Sequence, residues 1–97
     1  MNMQAMLKQA QQMQKQMLAE QETINNTIFT GENGLVKVTM KGSKRIEKVE
    51  IKKESDFSSD DLEMLEDMIM VAVNDVLTQI DKETESKLGK YTRGLPF

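Results

Sequence analysis

From the start of the chain the apolar residues fall at Met3, Met6, Ala10, Met13, Met17 and Ile24, a 3-4 spacing that draws one stripe along an α-helix. Glutamines at 4, 9, 11, 12, 14, 16 and 21 make the rest of that surface polar and nearly uncharged, and neither Gly nor Pro interrupts residues 1 to 30. Glu20 takes the next heptad position and β-branched residues begin at Thr23, so the pattern predicts a helix over about 3–22 with a strand starting directly behind it. Asn25 and Asn26 can form a turn between the two.

The period then changes from helical to two. Gly31-Glu32-Asn33-Gly34 reads as a tight connection into Leu35–Lys41, where Val36, Val38 and Met40 alternate with Leu35, Lys37, Thr39 and Lys41. One face of this strand is apolar and the other largely basic. Lys41-Gly42-Ser43-Lys44 predicts a second hairpin turn, and residues 45–52 (RIEKVEIK) alternate less cleanly, with Val49 and Ile51 on one face. Three antiparallel strands over about 23–53 follow as a meander.

Phe57-Ser58-Ser59-Asp60-Asp61-Leu62 carries two helix-start signals: Ser58 with Asp61 as a variant capping box, and Phe57 with Leu62 as a hydrophobic staple. Gly89 suits the position just past a helix end, so a second helix of about 30 residues is predicted over about 59–88, roughly 45 Å long, with a short tail at 89–97. Leu62, Leu65, Ile69, Ala72, Val76 and Ile80 form one stripe along it, while Met64, Met68, Val71, Val73 and Leu77 form others. Around residues 68–73 (MIMVAV) this helix is apolar on nearly all sides. One small sheet cannot cover it, and a second copy of the chain can.

Composition narrows the function. The 97 residues, 38% apolar and 30% charged, predict one α+β domain over 1–97, an α-β-β-β-α chain with two long helices. A chain this short hides roughly two thirds of its extended surface on folding, a further reason to expect a homodimer. No run of 18 apolar residues and no signal-peptide pattern occurs, which predicts a cytoplasmic protein that does not engage membranes. The absence of Cys and His removes disulfides, thiolate chemistry and the commonest metal ligand and general base. No phosphate loop, dinucleotide fingerprint or nucleophile–base pair is present, so no enzyme, catalytic residue, cofactor or small-molecule substrate is expected. The carboxylates of 60–67 lack the alternation of a calcium loop and spread around a helix, which predicts a solvated face and no metal site.

Charge is distributed unevenly within a net of −3. Residues 37–53 hold seven basic side chains against two acidic, a net of +5, and residues 60–85 hold nine acidic against one lysine, a net of −8. Lys87, Lys90 and Arg93 add +3 beyond them. A locally basic field can bind phosphate despite an acidic total when the acidic stretch faces away. Phe29, Phe57, Tyr91 and Phe97 are scattered, which disfavours base stacking and leaves backbone contact by lysines.

The segments LKQAQQMQKQM (7–17), GLVKVTMKG (34–42), KVEI (48–51) and above all DDLEMLEDMIMVAVNDV (60–76), with a tail ending Leu95-Pro96-Phe97, resemble the YbaB/EbfC family of bacterial nucleoid-associated proteins. The resemblance covers nearly the whole chain in order. It implies an α-β-β-β-α fold, a homodimer whose paired sheets form the core with helices protruding like tweezers, and binding to double-stranded DNA with little or modest sequence preference in the nucleoid. On that reading Lys8 and Lys15 of the first helix and Lys82, Lys87, Lys90 and Arg93 near the end of the second are the candidate phosphate contacts, with effects on DNA organisation or gene expression. Asn74 and Asp75, polar groups within an apolar helix, are expected to serve helix packing or the dimer contact. The methionine stripe of the first helix is expected to be the seam against the long helix rather than an adaptable binding surface. The alternative is a dimeric protein-interaction module without physiological DNA binding.

Overall fold

The computed structural model describes residues 2–52 and 58–93. Its elements run α1 (Met3–Asn25), β1 (Ile28–Asn33), β2 (Val36–Lys41), β3 (Ile46–Ile51) and α2 (Asp61–Arg93), with the strands in the antiparallel order β1-β2-β3. This is the α-β-β-β-α order that the periodicity predicts. The outline is elongated, 71 × 23 × 14 Å.

α1 starts where Asn2 Oδ1 accepts the Gln4 N–H at 3.0 Å, a side-chain cap on one of the free amides of the first turn. It ends three residues later than the sequence pattern predicts. Thr23 and Ile24 are helical because the Thr23 hydroxyl donates to the Ala19 carbonyl at 3.1 Å and Ile24 is buried, so tertiary packing overrides β-branched propensity. The first strand therefore begins at Ile28 rather than Thr23. Gly42, in the β2–β3 turn, anchors this end of α1: its N–H donates to the Thr27 carbonyl at 2.9 Å. A Cβ there would lie 1.8 Å from the Ile24 carbonyl oxygen.

The first turn also sits later than expected. Gly31, Glu32 and Asn33 are strand residues, and the hairpin closes through Gly34 and Leu35, with Gly34 at φ +57 in the left-handed region. Gly31 serves helix packing, since a Cβ there would stand 2.6 Å from Val76 Cγ2. The β2–β3 connection is the three-residue kind, with Lys44 at φ 70 after a bond from its N–H to the Lys41 carbonyl. In β3 the register shifts, so that Thr39 faces Lys48 and Met40 faces Ile46. That bulge at Glu47 brings Ile46 onto the same face as Val49 and Ile51, which explains why the alternation of residues 45–52 is imperfect.

α2 begins with the predicted Ser58–Asp61 contact, the Asp61 carboxylate accepting the Ser58 N–H at 2.8 Å. The proposed staple partner Phe57 lies outside the described residues. The helix does not stop at Gly89 but runs on to Arg93, because Tyr91 is nearly buried against α1 and Lys90 pairs with Glu20, contacts that hold the final turn. α2 lies across β1 and β2. Val36, Val38 and Met40 form the core with Leu65, Ala72, Val76 and Ile80, flanked by Phe29, Met68, Ile69, Val73 and Leu77.

Candidate nucleic-acid interface

α1 and the distal half of α2 pack antiparallel into an arm. Lys90 Nζ lies 3.3 Å from Glu20 Oε1 and 5.2 Å from the centre of the Tyr91 ring. Glu20 Oε2 is buried without a hydrogen-bond partner among the described residues. The hydrogen bond to Glu20 holds the Lys90 ammonium above its ordinary pKa, and burial pushes the Tyr91 phenol up. Tyr91 closes a cleft of about 190 Å³ with Ala10, Met13, Gln14 and Met17. The expected seam is thus formed by Met17 and Ile24 but not along the whole stripe: Met3, Met6 and Met13 are 76%, 51% and 38% exposed.

The candidate cations fall into different settings. Lys8 and Lys15 are seven residues apart and share one exposed face, about opposite the Met6–Met17 stripe at 100° per residue, and neither has an ion-pair partner among the described residues. Lys82 is likewise exposed and without a paired carboxylate among those residues, but helical geometry turns it well away from Lys87. Lys87 stands 4.0 Å from Glu83, one turn earlier, and Lys90 is held by Glu20. Arg93 is the last residue of α2. The six are therefore gathered on the arm without forming one patch.

Three lysines of the basic strands are also paired. Lys41 lies 3.5 Å from Glu47 and Lys48 lies 2.7 Å from Glu50, whose carboxyl the lysine holds below its usual range. Lys44 pairs with Asp81 at 3.3 Å. Glu47 and Glu50 are already counted in the +5 of residues 37–53, so only the Lys44–Asp81 pair among the described residues lowers it, to +4.

Residues 1–95 match the YbaB/EbfC DNA-binding family. A nucleoid-associated protein, LL0120, of Lactococcus lactis is 50% identical, with 100% of this chain and 99% of the relative aligned. One from Enterococcus faecalis is 47% identical over 98% and 92% of the two chains. The chain belongs to the YbaB/EbfC DNA-binding family. An uncharacterised Helicobacter pylori protein, HP0035, shares the family fold with a TM-score of 0.77 at 21% identity, covering 97% of this chain and 99% of that one.

In this family member two features escaped the sequence pattern. The Glu20–Lys90–Tyr91 cluster joins residues seventy positions apart. The available signals were Glu20 as the one acid in an apolar heptad and Tyr91 three helical turns beyond Ile80. The second is an uncovered apolar face. Register places Ile46, Val49 and Ile51 on the same side of the sheet as Val36, Val38 and Met40, yet they remain 47%, 44% and 44% exposed. On α2, Gln79 donates to the Thr30 carbonyl of β1 at 2.9 Å, which turns Val73 and Leu77 toward the β3 side. Asn74 and Asp75 are exposed in the chain; Asp75 accepts from Gln79 at 3.0 Å, and the Asn74 carbonyl accepts from Thr78. No helix among the described residues is long and apolar enough to cross a membrane, and no cluster of metal-ligating side chains occurs among them.

Proposed function

We propose that the protein is a nucleoid-associated homodimer of the bacterial cytoplasm that grips double-stranded DNA through phosphate contacts on its arms, with little sequence preference. The observation that carries this reading is the pair Lys8 and Lys15, exposed on one face of a protruding helix without carboxylates to satisfy them among the described residues. Lys82 joins them as a third cation without a carboxylate partner among the described residues. Lys87, Lys90 and Arg93 are proposed as further contacts, although Lys87 and Lys90 must first exchange Glu83 and Glu20 for phosphate. Pairing of two chains over Ile46, Val49, Ile51, Val73 and Leu77 doubles every cation and sets two arms side by side.

With four to eight cations on phosphates, log affinity falls against log salt with a slope of roughly −4 to −7. A mobility-shift titration on random-sequence duplex over a salt series measures this. Lys8→Glu with Lys15→Glu is expected to remove binding while the fold, seen by circular dichroism, is unchanged. Lys41→Glu with Lys44→Glu and Lys48→Glu is the comparison and is expected to retain most of it. The reverse outcome moves the site to the strands. No binding by the unaltered protein at physiological salt replaces the DNA reading with a protein-interaction module.

A further inference from the structure

We propose that the free half of the methionine stripe on α1 is a docking surface for the same segment of a second copy, the two helices running antiparallel so that chains associate arm to arm. The stripe at Met3, Met6, Ala10, Met13, Met17, Glu20 and Ile24 alternates spacings of three and four without a break, the heptad seam of a helix that packs along another helix. α2 occupies its inner half, where Ile24 is buried, Glu20 holds Lys90 and Met17 meets Tyr91. Met3, Met6 and Met13 remain exposed, with Leu7 beside them at 60%. Such a row of large apolar side chains on a thin arm marks a contact with another protein.

Two features of this surface select a second copy as the occupant. In a heptad seam the residues flanking the apolar rows choose the partner by charge. Here they are Asn2, Leu7, Gln9, Gln14 and Gln16, none of them charged, so a copy of the same segment meets no like charge and a charged partner gains no ion pair. Lys8 and Lys15 lie on the opposite side of α1, and the pairing leaves both open.

The second feature is that the surface carries both an exposed knob and a recess for it. Met6 is exposed, and one turn on Ala10 bounds an open cleft of about 190 Å³ with Met13, Gln14, Met17 and Tyr91. Running antiparallel about a two-fold axis level with Lys8, the two copies set Met6 opposite Ala10, each two residues from that level, and Met3 opposite Met13, each five residues from it. The flexible thioether chain of Met6 thus enters the cleft beside the small Ala10 of the other copy, and the same contact is made twice, as a two-fold pairing requires. A pairing centred farther along the stripe would need Met17 and Glu20, which α2 already holds. From Met3 to Met13 is ten residues, about 15 Å, a short seam whose pairing is weak and reversible, open at micromolar concentration and filled as the protein is concentrated. It depends neither on DNA binding nor on pairing over β3.

The chain contains no Cys, so Gln9→Cys places a single thiol on the flank beside the proposed axis, and Gln12→Cys places one on the outer side of α1. With concentrated protein and a short bis-maleimide, Gln9→Cys should be trapped as two joined chains and Gln12→Cys should not. Adding Met3→Gln and Met6→Gln to Gln9→Cys should abolish the trapping. Both methionines are exposed and glutamine suits a helix, so circular dichroism should be unchanged. No trapping at Gln9→Cys, equal trapping at Gln12→Cys, or trapping indifferent to the methionine changes overturns the proposal. Sedimentation equilibrium reads the same contact without a reagent. The chain carrying Val49→Asp with Ile51→Asp, deprived of its β3 surface, should rise toward twice the chain mass as it is concentrated from micromolar to millimolar, and should stay at the chain mass when Met3→Gln and Met6→Gln are added. A mass that does not rise, or rises equally in both, overturns the arm contact; a mass already doubled at micromolar concentration contradicts the β3 pairing alone, and the trapping comparison then decides the arm contact.

Discussion

β2 and β3 are neighbours in one sheet, each six residues long, each with apolar side chains on the same face, and they meet opposite fates. Val36, Val38 and Met40 are 1%, 0% and 1% exposed, whereas Ile46, Val49 and Ile51 keep 44% or more of their surface in contact with water. The strands differ little in composition; what differs is where α2 lies. It covers β1 and β2, drawn in by Gly31 and the Gln79–Thr30 contact, and leaves β3 beside an apolar flank of its own. A strand's alternation thus specifies which side chains share a face, and the position of the covering element decides whether that face is dry. In the proposed dimer the uncovered half is the surface that a second chain covers.

The two strands are told apart by placing the same charge on each. Val38→Asp puts a carboxylate where no water reaches, and should cost about 4 kcal/mol or more, a large part of the about 5–15 kcal/mol that holds such a domain folded, so the unfolding midpoint should fall steeply. Val49→Asp should leave each chain folded by circular dichroism and act on assembly alone. If both variants unfold, β3 is as much a part of the single-chain core as β2.

A smaller effect tests how α1 is fastened to this base. Gly42→Ala forces either the β2–β3 turn or the end of α1 to move, at about 1–3 kcal/mol, and calorimetry should show a melting point lowered by several degrees. Hydrogen exchange should locate the loosening in α1 rather than in β2.

The smallest effect is expected in the arm and concerns pH. Lys90 and Tyr91 both hold their protons more tightly in the folded arm than when unfolded, Lys90 by its bond to Glu20 and Tyr91 by burial. Stability from both is present at neutral pH and is lost as pH rises past about 10. Tyr91 is the single tyrosine, so an ultraviolet titration reads it alone and should give a midpoint above that of a free phenol. A midpoint at the ordinary value contradicts the packed arm.

The sequence makes the helix-strand order legible because two hydrophobic periods, 3.6 and 2, stand out over long stretches, and Val36, Val38 and Met40 are found buried as their alternation requires. Boundaries were lost where tertiary contacts outweigh local preference: Thr23 and Ile24 in the helix, Gly31 in the strand, and Gly89 inside α2 rather than beyond it. The bulge at Glu47 hid the kinship of Ile46 with Val49 and Ile51. For the candidate interface, the seven-residue spacing of Lys8 and Lys15 already placed them on one face. The neutralisation of Lys90 could not be read locally, because its partner Glu20 lies on the other helix.

Whether the uncovered β3 flank pairs two chains, as proposed, and so brings two arms together is read by sedimentation equilibrium at micromolar concentration. The unaltered protein should sediment at twice the 11.1 kDa chain mass, and Val49→Asp with Ile51→Asp at the chain mass while still folded. A folded, unaltered protein at the mass of one chain, or a double variant that remains a dimer, would contradict it.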